Sequence, residues 1–242
     1  MFQVKTSTIL KSCLILFIGI CIGHITSMII TFELSDIEKK ASLLKNIFYF
    51  GSEKNLTALY SSALFILLGC YFRAIATVVS TNKTYWKAIS YLAVFLACDE
   101  WFAIHDAVLN IYGMGPLGIP VWVWVYGSLA VLLLIRSIPF LKSIPPMLMT
   151  YLIVSGAIYI AGSALMEAVT YSFSDSNSLL ENIGWFFEDG LEMGGVLVMI
   201  FGATCWLTTQ KTTTLSFKKA PTLIILAIVI FDLVISHTSI IT

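Results

Sequence analysis

Apolar stretches of membrane-crossing length recur along this chain and leave little room for anything else. A window of about 19 residues finds seven of them, near 8–30, 55–80, 86–109, 119–138, 146–172, 179–208 and 221–240. A helix needs about 20 apolar residues to cross a hydrocarbon core about 30 Å thick. Lipid offers no water to satisfy the open edge of a sheet. The expected fold is therefore all-α: one transmembrane domain over residues 1–242, an integral seven-helix bundle joined by mostly short loops. Composition agrees, with 58% hydrophobic and 12% charged residues against about 45–50% and about 25% in soluble domains. So little charge cannot cover a soluble surface of this size. That excludes an ordinary cytosolic enzyme, a nucleic-acid binder and a disordered chain.

The first segment, with Lys5 and Lys11 ahead of an apolar run, resembles the start of a signal peptide. No A-x-A cleavage site follows, so it is expected to stay as a helix. The five cysteines, Cys13, Cys21, Cys70, Cys98 and Cys205, all lie inside apolar runs without a C-x-x-C pair. They read as small buried hydrophobes.

Net charge is zero, 14 basic against 14 acidic residues, so the information lies in placement. With the N-terminus inside, the inner loops and span ends receive Lys5, Lys11, Arg73, Lys83, Lys87, Arg136, Lys142, Lys211, Lys218 and Lys219. The outer side receives only Lys39, Lys40, Lys45 and Lys54, beside Glu33, Asp36, Glu38 and Glu53. That asymmetry predicts N-terminus inside and C-terminus outside. Trp122, Trp124 and Tyr126 then read as an aromatic belt at the outer interface.

Acids inside the spans are the second constraint. Asp99, Glu100 and Asp106 fall on the third segment, Glu167 on the fifth, Glu181, Glu188, Asp189 and Glu192 on the sixth, and Asp232 on the seventh. His24, His105 and His237 also lie within spans. Each charge at mid-membrane costs about 2.5–3.5 kcal/mol on insertion scales. Several together would cost on the order of 20 kcal/mol, more than the ~5–15 kcal/mol net stability of a domain. They need protons, a water-filled cavity or a bound cation. On the N-inside topology nearly all of them sit between the midplane and the outer surface. At about 100° per residue, Asp99 and Asp106 lie within about 20° of each other, and Glu181, Glu188 and Glu192 share an arc of about 40°. Gly190-x-x-x-Gly194 and Gly19-x-x-x-Gly23 are expected to let these helices approach neighbours closely.

Carboxylates with imidazole are the ligand set of zinc, iron or manganese. The expected ligands of a divalent transition metal are Asp99, His105, Asp106, Glu188 and Asp189, with Glu100 and Glu192 as candidate catalytic bases. The stretch 98–106, C-D-E-W-F-A-I-H-D, followed by 188–193, E-D-G-L-E-M, resembles a group of uncharacterised bacterial multi-pass membrane proteins. Those carry an L-D-E-x4-H-E segment and a later E-E-x2-L-E-M segment. Asp106 and Asp189 stand here where Glu is usual. The resemblance implies a paired polar site and a bacterial inner-membrane location. A second likeness is to seven-helix membrane hydrolases of the alkaline ceramidase and adiponectin-receptor type, which bind zinc through three histidines. The last segment here lacks their H-x3-H pair, so this likeness is architectural.

Three functions follow as alternatives. One is a metal-dependent hydrolase acting on membrane lipid or lipid-linked substrates at the outer leaflet. Another is a cation or proton pathway, which needs polar residues continuing to the inner side. The last is a non-enzymatic assembly or structural subunit whose polar cluster binds a partner membrane subunit or a second copy of the chain.

Overall fold

The computed structural model describes residues 2–33, 46–52, 54–116, 119–166, 169–170 and 178–217. The expected seventh span near 221–240, with Asp232 and His237, lies outside them, and so does Glu167. The described chain is predominantly helical. A short strand β1 (Phe2–Lys5) leads into α1 (Thr6–Glu33), followed by α2 (Leu56–Val78), α3 (Lys83–Phe102), α4 (Ile104–Tyr112), α5 (Val121–Arg136), α6 (Ile138–Leu141) and α7 (Pro146–Ile160). A π-helical turn (Ala161–Met166) continues α7, and α8 (Ser178–Thr209) runs into β2 (Thr214–Phe217).

Local chemistry sets several of these boundaries. The Asn55 side chain accepts from the Ala58 N–H at 2.9 Å and so caps α2. The Asn55 amide also donates to the Tyr49 carbonyl at 2.6 Å. Pro146 opens α7 at a position where a missing N–H costs nothing.

Four helical stretches are long and apolar enough to cross a membrane: Thr6–Ile30, Leu56–Val78, Pro146–Met166 and Leu179–Thr209. They coincide with the first, second, fifth and sixth expected segments. The fourth is the shorter α5, whose 16 residues rise only about 24 Å against a core of about 30 Å. The third departs further. Instead of one helix over 86–109, the chain breaks at Ala103, which takes a left-handed φ of 50° between α3 and α4. That conformation costs a non-glycine residue about 1–2 kcal/mol. The fifth segment departs as well, because the α-helical ladder of α7 gives way to the π-helical turn after Ile160.

α8 is the central post. It packs along α7, the π-turn, α2 and α1, while α3 lies along α2. Phe50, Leu64, Tyr71, Ile75, Leu148, Met193, Ile200 and Leu207 form the middle of the core. The outward faces stay apolar: Leu14, Ile15, Leu16, Ile18, Ile22, Ile25 and Ile29 on α1 are exposed, and so are Leu129 and Val131 through Ile135 on α5. Faces this apolar suit lipid and not water.

The glycines that admit close helix packing are not the expected ones. A Cβ at Gly194 would meet nothing within 4 Å, and one at Gly190 only Phe50 at 3.9 Å. A Cβ at the next residue, Gly195, would fall 2.8 Å from the Ser155 carbonyl oxygen and 2.9 Å from the Tyr159 nitrogen on α7. At Gly202 it would enter the Tyr151 ring. On α1, Gly19 faces open space, and Gly23 receives the Phe48 ring from the segment between α1 and α2.

At one end of the bundle β1 pairs antiparallel with β2, from Phe2 opposite Phe217 to Lys5 opposite Thr214. The Thr204 hydroxyl donates to the Tyr71 hydroxyl at 3.0 Å, which donates to the Thr6 carbonyl at 3.3 Å. Asp99, Glu100, Asp189 and Glu192 gather away from this end.

The two adjacent glycines of α8 make a matched test. Gly195→Ala is expected to destabilise the detergent-solubilised protein by about 1–3 kcal/mol through overpacking against α7. Gly194→Ala should be neutral or stabilise by up to about 1 kcal/mol through helix propensity. Thermal unfolding of the two variants beside the wild type decides it.

Candidate functional site

The break at Ala103 brings Asp99 and His105 into contact. An unbroken helix separates residues six apart by about 120° around its axis. Here the chain turns, and the buried Asp99 carboxylate faces the start of α4. Asp99 Oδ1 accepts from the His105 backbone N–H at 3.1 Å, satisfying a donor of the first turn that Ala103 leaves uncapped. A carboxylate there also suits the positive end of the helix dipole. His105 Nδ1 lies 3.1 Å from Asp99 Oδ2. A carboxylate accepts, so Nδ1 carries the proton, and in the neutral ring Nε2 bears the lone pair. The Tyr126 hydroxyl donates to Asp99 Oδ1 at 2.9 Å from α5. Trp122 stands 5.3 Å from the His105 ring, centroid to centroid, and 5.6 Å from the Tyr126 ring.

Glu100 points to the α2 and α8 side. The Ser61 hydroxyl donates to it, and Asp189, His105 and Asp99 act on it electrostatically. Tyr159 of α7 interacts with Glu192, Glu100, Asp99 and Tyr126. The two acid-bearing stretches therefore meet around Tyr159, and Asp99, Glu100, His105, Asp189 and Glu192 belong to one electrostatic network. Glu188 is the next residue along α8, with its Oε2 buried. Its backbone carbonyl is where a Cβ on Gly162, in the π-turn, would collide. π-turns inside helices recur at functional sites, and this one lies directly against Glu188 and Glu192. Asp106 lies on α4, on the turn after His105.

Asp189 and His24 both hold the stretch 46–52 ahead of α2. The Gly51 N–H donates to Asp189 Oδ2 at 3.0 Å. The Phe50 N–H donates to Nδ1 of the fully buried His24 at 3.0 Å. His24 is thus engaged with backbone and enclosed by Phe50, Phe186 and Tyr49 rings at 4.5, 5.7 and 5.6 Å. Glu181 lies near Tyr49; burial first, then that charge, pushes the Tyr49 phenol above its ordinary value. Glu181 is thus placed beside Tyr49.

Among the described residues, no three of His, Cys, Asp and Glu form a group that would hold a metal ion as they stand. Three participants escaped the sequence reading. Tyr126 was assigned to an interfacial belt, and Ser61 and Tyr159 carried no motif. Tyr126 sits one helical turn from Trp122, and that pairing was the one available signal. A separate cleft of about 450 Å³ lies at the strand end, between Asn82, Trp86, Ser143, Trp206 and Gln210. Among the described residues no titratable side chain lines it.

Residues 13–207 match the model of a family described as a domain of unknown function (DUF8692), and the chain belongs to that family. No curated protein and no solved structure matches the chain.

The Asp99 contacts can be read as a coupled unit. Tyr126→Phe removes one charge-assisted bond and should cost about 1.5–3 kcal/mol. Asp99→Ala should cost more, because it strands a phenol, an imidazole and a backbone N–H together. In the double variant the Tyr126 change should add almost nothing to the Asp99 change. Chemical unfolding in detergent measures all three, and full additivity contradicts the bond.

Proposed function

We propose that this member of the DUF8692 family is a multi-pass protein of a bacterial inner membrane, a seven-helix bundle with its N-terminus inside and its C-terminus outside. Its acid–histidine site lies toward the outer leaflet, takes up a divalent transition metal such as zinc, iron or manganese, and hydrolyses lipid or lipid-linked substrates. The observation that carries the reading is the Asp99–His105 pair. A carboxylate on Nδ1 fixes the tautomer and orientation of a metal-binding imidazole and raises its basicity. Asp99 then stands behind the ligand rather than beside it, since both its oxygens already accept hydrogen bonds.

His105 is the first ligand in this proposal, and carboxylates of α8 join it, Asp189 and Glu192 foremost with Glu188 next to them. Glu100, held by Ser61 on the opposite flank, is the base that accepts the proton of an attacking water. A divalent metal supplies Lewis acidity at such a site. The exposed apolar faces of α1 and α5 support a substrate that arrives through lipid. The ten-to-four division of basic residues supports the orientation.

A proton or cation pathway is the second reading. The run of exchangeable groups through Tyr126, Asp99, Glu100, Tyr159 and Glu192 favours it.

Metal content by mass spectrometry on detergent-purified protein, wild type beside His105→Ala, separates the two. A near-stoichiometric transition metal in the wild type, lost in the variant, is expected. A folded wild type without metal overturns the metallohydrolase reading and leaves conduction, or a partner subunit, as the role of the acids.

A further inference from the structure

We propose that His24 is a positioning residue for the acid–histidine site: its imidazole holds the Phe50 N–H, and with it the backbone through Gly51, so that the Gly51 N–H fixes the Asp189 carboxylate. The inference rests on the reading of Asp189 as part of that site.

Two consecutive backbone amides face opposite helices. Phe50 donates to His24 on α1, and Gly51 donates to Asp189 on α8. The two amides are joined through the single residue Phe50, so fixing one restricts the other. The surroundings leave this backbone little freedom. Phe50 is fully buried and its ring stacks on His24 and on Phe186. The Asn55 amide holds the Tyr49 carbonyl on one side. On the other, Gly51 has a φ of +74°, and a Cβ there would strike the Trp185 ring at 2.7 Å. Only glycine allows both the left-handed backbone and the close approach to α8 at this position.

The chemistry of the ring is the second argument. Nδ1 accepts, so the imidazole is neutral with its proton on Nε2. Nε2 is buried and makes no hydrogen bond of good geometry among the described residues, although the backbone of Asn182 and Phe48 acts on the ring. An aromatic hydrocarbon would fill the same cage of Phe50, Phe186 and Tyr49 without burying a polar nitrogen. The acceptor that a histidine adds at Nδ1 is spent on the Phe50 N–H. A charge-assisted bond from a backbone amide then locks one oxygen of Asp189, the carboxylate that acts on Glu100 across the site.

The test uses the full chain in detergent or nanodiscs. His24→Phe keeps the stacking and deletes the acceptor. His24→Asn restores an acceptor oxygen one bond from Cγ, where Nδ1 stands. Hydrogen–deuterium exchange of peptides covering 48–52 reads the Phe50 and Gly51 amides, and electron paramagnetic resonance reads Mn²⁺ binding. The expected result is faster exchange at both amides in His24→Phe, with Mn²⁺ bound about tenfold more weakly, and recovery of both in His24→Asn. On an Asp189→Ala background, His24→Phe should not weaken Mn²⁺ further. Unchanged Gly51 exchange in His24→Phe overturns the proposal, as does a loss that Asn does not rescue in folded protein. If the wild type binds no Mn²⁺, the metal reading fails and the exchange measurement alone decides the role of His24.

Discussion

One carboxylate organises the polar end of the bundle. Asp99 accepts from a phenol on α5, from a backbone amide and from an imidazole on α4, and it sits on α3. Three helices are thereby referred to one side chain in surroundings that penalise an unsatisfied charge. The kink at Ala103 and these contacts go together. A left-handed alanine is unfavourable in itself, and the capping of α4 by Asp99 is what offsets the strain. Backbone strain of this kind gathers where several other contacts hold it in place.

The second organising element is the close fit of α7 to α8. Gly195 and Gly202 lie on the face that α7 covers, and Gly162 repeats the device from the α7 side. Without a hydrophobic force between helices in lipid, such small residues set how near two backbones come. Because α7 sits tightly on α8, Tyr159 reaches Glu192, and the π-turn lies against the backbone of Glu188.

Much of the helical layout was legible because length and hydropathy suffice to find α1, α2, α7 and α8. The sixth segment, expected near 179–208, is α8 at Ser178–Thr209. The break at Ala103 was not legible. Nothing in an alanine between phenylalanine and isoleucine announces a left-handed backbone, and its cause is a side chain four residues earlier. The phase argument for Asp99 and Asp106 assumed one continuous helix and loses its basis with the break. The approach of Asp99, Glu100 and His105 to Asp189 and Glu192 was suggested by the cost of leaving so many acids apart in an apolar bundle. The residues that complete the site are neutral: Ser61, Tyr126 and Tyr159 look in sequence like ordinary helix and belt residues. The choice between Gly194 and Gly195 depends on which face of α8 meets α7, which a single sequence does not carry. The strand pair was missed because β1 and β2 are four residues each and more than 200 positions apart.

That strand pair bears on biogenesis. β1 is made before α1, yet its hydrogen-bonding partner emerges only after α8 has been synthesised. Until then the leading strand presents an open edge, which water can solvate and a bilayer core cannot. The bundle can collect its helices in order as they leave the ribosome, but the contact that joins its first and last described elements has very long sequence separation and forms late. The clasp between α1 and α8 is thereby tied to synthesis of the chain through residue 217, so a polypeptide truncated before β2 lacks it.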